Sequence, residues 1–252
     1  MPKPRISTSR TAEAYDLLRQ DLIDGTLAPG TRLVIADLQD RYGLGAMPLR
    51  EALNRLSAEQ FVHKHEQRGF AVPPLAAEVF LEIQNARIVV ETAALRESIF
   101  CHRPDWENRL VLAFHHLAKA GKTGPDYLLS DAWSTAHGVF HRELISGCEN
   151  AWLLTFASQL FEQSARYRAR RRQIDAKTPG ALVEEHHAIM DAAIRGETET
   201  AVERLIDHYR RSVETVLGEP VNLTMSPLRF HRRAAEAAAT AGAVAPRNAM
   251  RP

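Results

Sequence analysis

Apolar residues recur at intervals of three and four along most of this chain, which is the spacing of one face of an α-helix. Over residues 11–74 the pattern predicts three helices, near 11–24, 35–42 and 48–60. Two short extended segments, 61–65 and 70–72, follow the third helix and flank a turn that contains glycine. Three helices followed by a hairpin are the layout of a winged helix-turn-helix.

Beyond the double proline at Pro73 and Pro74, every strong pattern is helical. The helices that we expect between residues 77 and 217 fit one antiparallel all-α bundle domain. The predicted fold is therefore mainly α, with a winged helix-turn-helix at 11–74 and the bundle at 77–217. We expect a flexible tail at 1–10 and a disordered tail at 218–252. The six predicted bundle helices lie near 77–101, 105–119, 126–146, 150–172, 180–195 and 198–217.

The composition excludes several other classes of protein. Hydrophobic residues make up 45% of the chain and charged residues 25%, which excludes wholesale disorder. The net charge of +1 neither favours nor excludes nucleic-acid binding, because that depends on how charge is distributed over the surface. No apolar run approaches the ~18–20 residues that span a bilayer, and the N-terminus lacks the apolar region of a secretory signal. The two cysteines, Cys101 and Cys148, fit a reducing cytoplasm, so we expect a cytoplasmic protein without a membrane partner.

Three motifs in the N-terminal part are found together in one family. They are P-G-x-x-L from Pro29, G-L-x-x-x-P-L-R-E-A-L-x-x-L from Gly43, and R-G-x-x-V from Arg68. Together they resemble the GntR family of bacterial transcription regulators, over nearly all of residues 11–73. The resemblance implies a regulator whose winged helix-turn-helix binds double-stranded operator DNA.

In such a module the third helix is the recognition helix, and its N-terminal end enters the major groove. Arg50 at that end could bond a guanine edge or a phosphate; the alternative is an ion pair with an acidic neighbour in the module. The family often has Ser-Arg-Thr before the proline, where this chain has Gly-Ala-Met. Because this arginine is absent, we expect the operator to differ from those of relatives that carry it. The candidate DNA-binding residues are Gly45, Ala46, Met47 and Arg50 on the helix, with Arg68 and Gly69 at the wing tip.

The predicted bundle contains two histidines at a spacing that can bind metal. His137 and His141 are four residues apart in a predicted helix, which places them on one face. Residues at this spacing can chelate one metal ion, as in helical zinc sites. The alternative is one core histidine and one surface histidine.

Further motifs contain His141 and two later histidines. Phe140 precedes His141, His186 lies in an E-H-x-x-I-x-x-A motif, and His208 follows Gly196 by twelve residues. With an R-x-x-x-E element at Arg87, these motifs resemble the FadR-type effector domain called FCD, over about residues 78–217. The resemblance implies a metal site that contains His141, His186 and His208.

His137 occupies the position at which this family carries an aspartate, so a site of three histidines and one aspartate would here become four histidines. Imidazole favours divalent transition metals over Mg²⁺ or Ca²⁺, and we expect Zn²⁺ or Ni²⁺. In the alternative interpretation, His137 has lost the metal role and only lines the pocket.

Arg87 is the candidate effector-binding residue, because its planar guanidinium could clamp the carboxylate of a small organic acid. The alternative is an i,i+4 ion pair with Glu91. We also expect a homodimer, because two-fold symmetry suits a pseudo-palindromic operator. The apolar runs on the predicted helices 77–101 and 126–146 exceed what one core needs.

The sequence therefore predicts a ligand-responsive transcription regulator and not an enzyme. One alternative is a metal-dependent enzyme of hydrolase type, since four histidines could leave a metal position open. No H-E-x-x-H arrangement supplies the base that such an enzyme needs. The other alternative is a metal-only sensor without an organic effector.

Overall fold

The computed structural model describes residues 9–65, 69–121, 130–167, 181–221 and 223. Most of the two predicted tails, residues 1–8 and 224–252, lies outside these ranges. The N-terminal part contains three helices and a small antiparallel sheet with the strand order β1-β3-β2. Its elements are α1 (Arg10–Asp24), β1 (Arg32–Leu33), α2 (Ile35–Tyr42), α3 (Ala46–Ala58), β2 (His63–His65) and β3 (Gly69–Ala71).

The core of this part is apolar and joins all three helices to the sheet. Leu18 of α1 and Leu49, Leu53 and Leu56 of α3 are fully buried, because their spacing places them on the facing sides of two packed helices. The strand β1 was not part of the predicted layout of three helices and a hairpin. It pairs with β3 because Phe70 of β3 stands opposite Leu33 and both side chains enter the core.

The remaining elements are helical, as the sequence predicted. The side chains of Phe80, Trp106, Phe140 and Tyr209 are fully buried in their common core. Helix α5 packs against α6, α4 packs against α7 and α9, and α8 packs against α9. The helices are α4 (Ala77–Cys101), α5 (Pro104–Ala120), α6 (Asp131–Leu144), α7 (Ala151–Gln163), α8 (Ala181–Ile194) and α9 (Thr198–Leu217).

Two of these helices differ from their predicted bounds. The helix expected at 150–172 is interrupted at Ser164, whose Oγ donates to the Phe161 carbonyl, and residues 165–167 are helical again. The helix expected at 126–146 starts at Asp131, because Ser130 Oγ accepts from the Trp133 amide as an N-cap. Residues 126–129 and 168–172 lie outside the described ranges.

Polar side-chain contacts join the two parts of the molecule within the described ranges. Arg19 of α1 forms an ion pair with Glu162 of α7, and Gln163 donates to the backbone carbonyl of Glu59. Arg166 donates to the Pro73 carbonyl at 2.7 Å. Residues at the end of α7 and directly after it therefore contact α1, the end of α3 and the linker at Pro73.

Large exposed apolar side chains lie on two packed bundle helices. Phe100 of α4 is 88% exposed and Trp152 of α7 is 70% exposed, and Val89 and Phe156 lie on the same helices. The sequence placed such an excess on α4 and on the 126–146 helix. The described part of that second helix, α6, exposes no large apolar side chain, because its apolar positions face the core. None of the described helices is long and apolar enough to cross a membrane.

Candidate functional site

The N-terminal end of α3 presents an exposed surface. Burial of its three leucines against α1 turns the opposite face of the helix outward, where Met47 is 67% exposed and Arg50 is also exposed. Gly45 is the N-cap residue and Ala46 begins the helix. Among the described residues, Arg50 has no hydrogen-bond or ion-pair partner, so the alternative of an acidic neighbour is not observed there.

The β2–β3 hairpin forms the candidate wing. Gly69 has a φ of 82°, a left-handed conformation that favours glycine, and it pairs with His65 across the hairpin. Arg68, the other residue predicted at the wing tip, lies outside the described residues.

The structure brings all four candidate histidines together inside the bundle. Helix α6 supplies His137 and His141, α8 supplies His186, and α9 supplies His208. One ligand nitrogen of each lies within 4.8 Å of those of the others, and all four side chains are buried. His141 Nε2 lies 3.2 Å from His137 Nε2 and 3.4 Å from His186 Nε2.

Neighbouring acceptors orient two of these imidazoles. His186 Nδ1 lies 2.6 Å from the Leu182 carbonyl oxygen, which can only accept, so Nδ1 carries the proton. His208 Nδ1 donates in the same way to a Glu185 oxygen at 3.0 Å. In each neutral ring, Nε2 then presents its lone pair to the cluster, as in metal-binding histidines with an oriented second nitrogen.

The electrostatics at His141 favour a neutral imidazole. Burial lowers the pKa of His141 well below its ordinary value, and the three other histidines and Arg87 lower it further. Burial alone would raise the pKa of Glu185, but hydrogen bonds from His208 and Arg211 hold it at about 2. Glu185 is therefore an ionised acceptor that keeps the proton of His208 on Nδ1.

These residues fit a transition-metal ion. Nitrogens bound tetrahedrally to zinc at ~2.0–2.1 Å lie about 3.3 Å apart, close to the 3.2 and 3.4 Å separations measured here. Lone pairs that converge in a buried site repel each other unless a cation or a proton lies between them. Among the described residues, His141 Nδ1 has no hydrogen-bond partner although it is buried, and Glu91 Oε2 lies 3.9 Å away. An all-imidazole donor set suits Zn²⁺, Ni²⁺ or Cu²⁺.

The other histidines of the bundle lie outside this group. His187 turns away from the cluster and packs against Phe114, with ring centroids 5.2 Å apart. His115 and His116 pack edge to face against each other.

Arg87 is fully buried and bound to protein groups. It donates to Glu91 at 2.7 Å and to the Tyr209 hydroxyl at 3.1 Å, and its guanidinium lies over the Tyr209 ring. Burial lowers the pKa of Arg87, but Glu91 and Tyr209 more than offset this and raise it above its ordinary value. The structure thus contains the i,i+4 pair that the sequence offered as the alternative to effector binding.

A cavity of about 690 Å³ opens beside the histidine cluster. Its inner wall contains His137, His208 and Arg87. Its rim contains Arg142, which follows His141 on α6, and residues of α1 from the N-terminal part of the molecule. The α1 residues that line it are Arg19, Gln20, Ile23 and Asp24.

Residues 10–72 match the model of the gntR family of bacterial regulatory proteins, and residues 82–211 match the FCD domain. The chain belongs to the GntR family. The HTH-type transcriptional regulator BphR of Paraburkholderia xenovorans is 35% identical to this GntR-family protein over 219 residues, 85% of this chain and 89% of BphR. The transcriptional repressor GlaR of Escherichia coli is 29% identical over 204 residues, 80% of this chain and 93% of GlaR.

Among solved structures, Escherichia coli McbR/YncC shares the fold of this GntR-family chain. The TM-score is 0.68 over 84% of this chain and 98% of that chain, at 20% sequence identity. The matched families and relatives are transcription regulators and not enzymes, so the chain is a DNA-binding transcription regulator and the hydrolase alternative is wrong.

Sequence reasoning assigned no role to three residues at this site. Glu185 orients His208, Arg142 lines the cavity, and Arg19 reaches the same cavity from the DNA-binding part. Glu185 has a sequence signal, because it directly precedes His186. For Arg19 the sequence carries no signal, since its distance from the bundle depends on how the two parts pack.

Proposed function

We propose that this GntR-family regulator binds operator DNA as a homodimer in the cytoplasm, and that a small organic acid held at a metal ion in the bundle controls that binding. The observation that carries the proposal is the convergence of four buried histidines beside a cavity, with Nδ1 of His186 and of His208 already held by acceptors. His137, His141, His186 and His208 would hold the metal, with Zn²⁺ or Ni²⁺ favoured.

DNA binding would use α3 and the wing. Gly45, Ala46, Met47 and Arg50 lie at the N-terminal end of a recognition helix, the end that enters the major groove in such modules. Gly69, with Arg68 beside it in the sequence, would lie at the adjacent minor groove.

An organic effector is favoured over a metal-only sensor by the size of the cavity. A volume of about 690 Å³ is typical of small-molecule sites and far exceeds what one metal ion needs. A metal held by neutral imidazoles keeps its full positive charge, which attracts an anion such as a carboxylate. Buried Arg87 would position Tyr209 and Glu91 behind the cluster, because its guanidinium is already bound to both.

A dimer would explain the exposed apolar side chains of α4 and α7. Phe100 and Trp152 are large, exposed and placed on two helices that pack on each other, which is the character of an association surface. Sedimentation at micromolar concentration should give twice the chain mass of 28.2 kDa. A monomer that still binds its operator tightly would contradict the symmetric arrangement.

The regulatory part is tested by operator binding under three conditions: metal removed by a chelator, Zn²⁺ restored, and Zn²⁺ with a library of small carboxylates. At least one carboxylate should change operator affinity in the presence of Zn²⁺ and none after chelation. His186→Ala should abolish the response, whereas His187→Ala, the neighbouring histidine outside the cluster, should keep it. A response to Zn²⁺ that no carboxylate alters would favour the metal-only sensor.

A further inference from the structure

The rim of the cavity is built by both parts of the molecule. Arg19 of α1 is 26% exposed and Glu162 of α7 is 33% exposed, and their ion pair closes the rim between the DNA-binding part and the bundle. Both side chains line the cavity that reaches His137 and His208. A molecule that fills this cavity would therefore contact the DNA-binding part directly.

The cavity also contains a cation to which the described residues supply no partner. Arg142 is exposed and lines the cavity, and it has no hydrogen-bond or ion-pair partner among the described residues. Its Nη1 lies 3.5 Å from the place where a β-carbon on Gly138 would stand, so the guanidinium lies along α6 between the turns that carry His137 and His141. A ligand that displaces water from Arg142 has to supply an anionic group, because a desolvated guanidinium without a partner is costly.

We infer that the effector carries two anionic groups, and that the group not bound to the metal binds Arg142 and Arg19 and displaces Glu162 from Arg19. The inference rests on the proposed function, because the first anionic group is the one at the metal. Four neutral imidazoles leave the charge of a divalent ion uncompensated, and Arg142 adds one more positive charge. A dianion such as a linear dicarboxylate would place one negative charge at the metal and the other at Arg142.

Acidic residues restrict where the second group can bind. Asp24 and Asp131 also line the cavity, and both are exposed. Asp24 accepts a hydrogen bond from Gln20 at 2.7 Å. Glu162 is already paired with Arg19, so its carboxylate lies where an anionic group of the ligand would bind.

Two substitutions that break the same ion pair separate this inference from a purely structural role. Arg19→Gln and Glu162→Gln both remove the same one of the contacts that join the two parts of the molecule. If Glu162 competes with the ligand, Glu162→Gln should strengthen dicarboxylate binding, whereas Arg19→Gln should weaken it. Asp131→Asn is the matched control for the loss of one negative charge at the cavity, and its effect should be smaller than that of Glu162→Gln.

Calorimetric titration of the full-length, Zn²⁺-loaded protein measures the affinity for each acid. The probes are acetate and the linear dicarboxylates from malonate to adipate. At least one dicarboxylate should bind about tenfold more tightly than acetate, as expected for one added charge-assisted hydrogen bond. Arg142→Gln and Arg19→Gln should each remove that gain and leave the affinity for acetate unchanged.

The possible failures are distinguishable. If Zn²⁺ itself does not bind, the proposed function fails and this inference fails with it. If Zn²⁺ and acetate bind but no dicarboxylate gains over acetate, the inference alone is overturned. It is also overturned if Arg19→Gln and Glu162→Gln shift dicarboxylate affinity in the same direction.

Discussion

The N-terminal part and the bundle bury different kinds of side chain. The core of residues 10–72 is apolar, and among the described residues every buried polar or charged side chain belongs to the bundle. There, Arg87, Glu91 and the histidine cluster are interior groups. The DNA-binding part keeps its candidate chemistry on the surface, at Met47 and Arg50, whereas the bundle keeps it inside.

This difference has an energetic consequence. A core of leucines and phenylalanines contributes stability directly through burial of apolar surface. Burying imidazoles and an ion pair costs desolvation free energy, which interactions with partners have to offset. For the histidine cluster, this offset is complete only with a bound cation. The stability of the bundle should therefore depend on metal and on pH, and that of the N-terminal part on packing.

The largest effect should come from a cavity in the apolar core. Leu53→Ala removes a fully buried side chain of α3 and should lower the free energy of unfolding by ~2–5 kcal/mol. Urea denaturation measures the change, and Leu17→Ala, at a leucine that is 40% exposed on α1, is the control with a much smaller loss. Zn²⁺ affinity of the folded variant should be unchanged. Equal losses for the two leucines would contradict an N-terminal core that depends on packing.

The second effect concerns metal. Zn²⁺ at a hundredfold excess over its Kd should stabilise the folded protein by ~2.7 kcal/mol, and a chelator should reverse this. Thermal denaturation with and without chelator checks the shift. His186→Ala should make the melting temperature insensitive to chelator, while His187→Ala should retain the response. A wild type indifferent to both Zn²⁺ and Ni²⁺ would reduce the four histidines to ordinary pocket residues.

The third effect tests the exposed chemistry of the N-terminal part. Arg50→Ala should weaken operator binding by ~1–3 kcal/mol if the guanidinium reads a base. Fluorescence anisotropy on operator and on random duplex separates base reading from phosphate contact, because a phosphate contact is lost equally on both. Arg55→Ala is the control on the same helix, since Arg55 is paired with Glu59 at 3.0 Å. No change on either duplex would remove Arg50 from the interface.

The smallest effect is a pH dependence of the metal-free protein. The pKa of His141 is lowered by burial, so below its unfolded value of ~6.5 the unfolded chain binds a proton that the folded chain does not. The free energy of unfolding should therefore fall by up to ~1.4 kcal/mol per pH unit as the pH drops from about 6.5 toward the lowered pKa. Denaturation at a series of pH values in chelator gives the slope, and His141→Gln should reduce it. An unchanged slope in that variant would exclude His141 as its source.

Local spacing was sufficient to predict most helices, the hairpin and the proximity of His137 to His141, since each depends on residues close in sequence. The approach of His186 and His208 to that pair was expected only from the family resemblance, because it depends on how α8 and α9 pack. The sequence could not show whether Arg87 pairs with Glu91 or keeps its guanidinium free for a ligand, because the same position on the helix allows both. The interruption of the predicted 150–172 helix at Ser164 has no signal in the helical spacing of the apolar residues.

Helix α1 contacts both the N-terminal core and the cavity of the bundle. One face packs on α3, where Thr11 donates to Glu51 at 2.6 Å, and Arg19 on the same helix lines the bundle cavity. A chimera that exchanged the first 72 residues for those of another family member would therefore exchange part of the cavity lining as well. Under the proposed function, DNA specificity and ligand response would therefore not be transferred independently of each other.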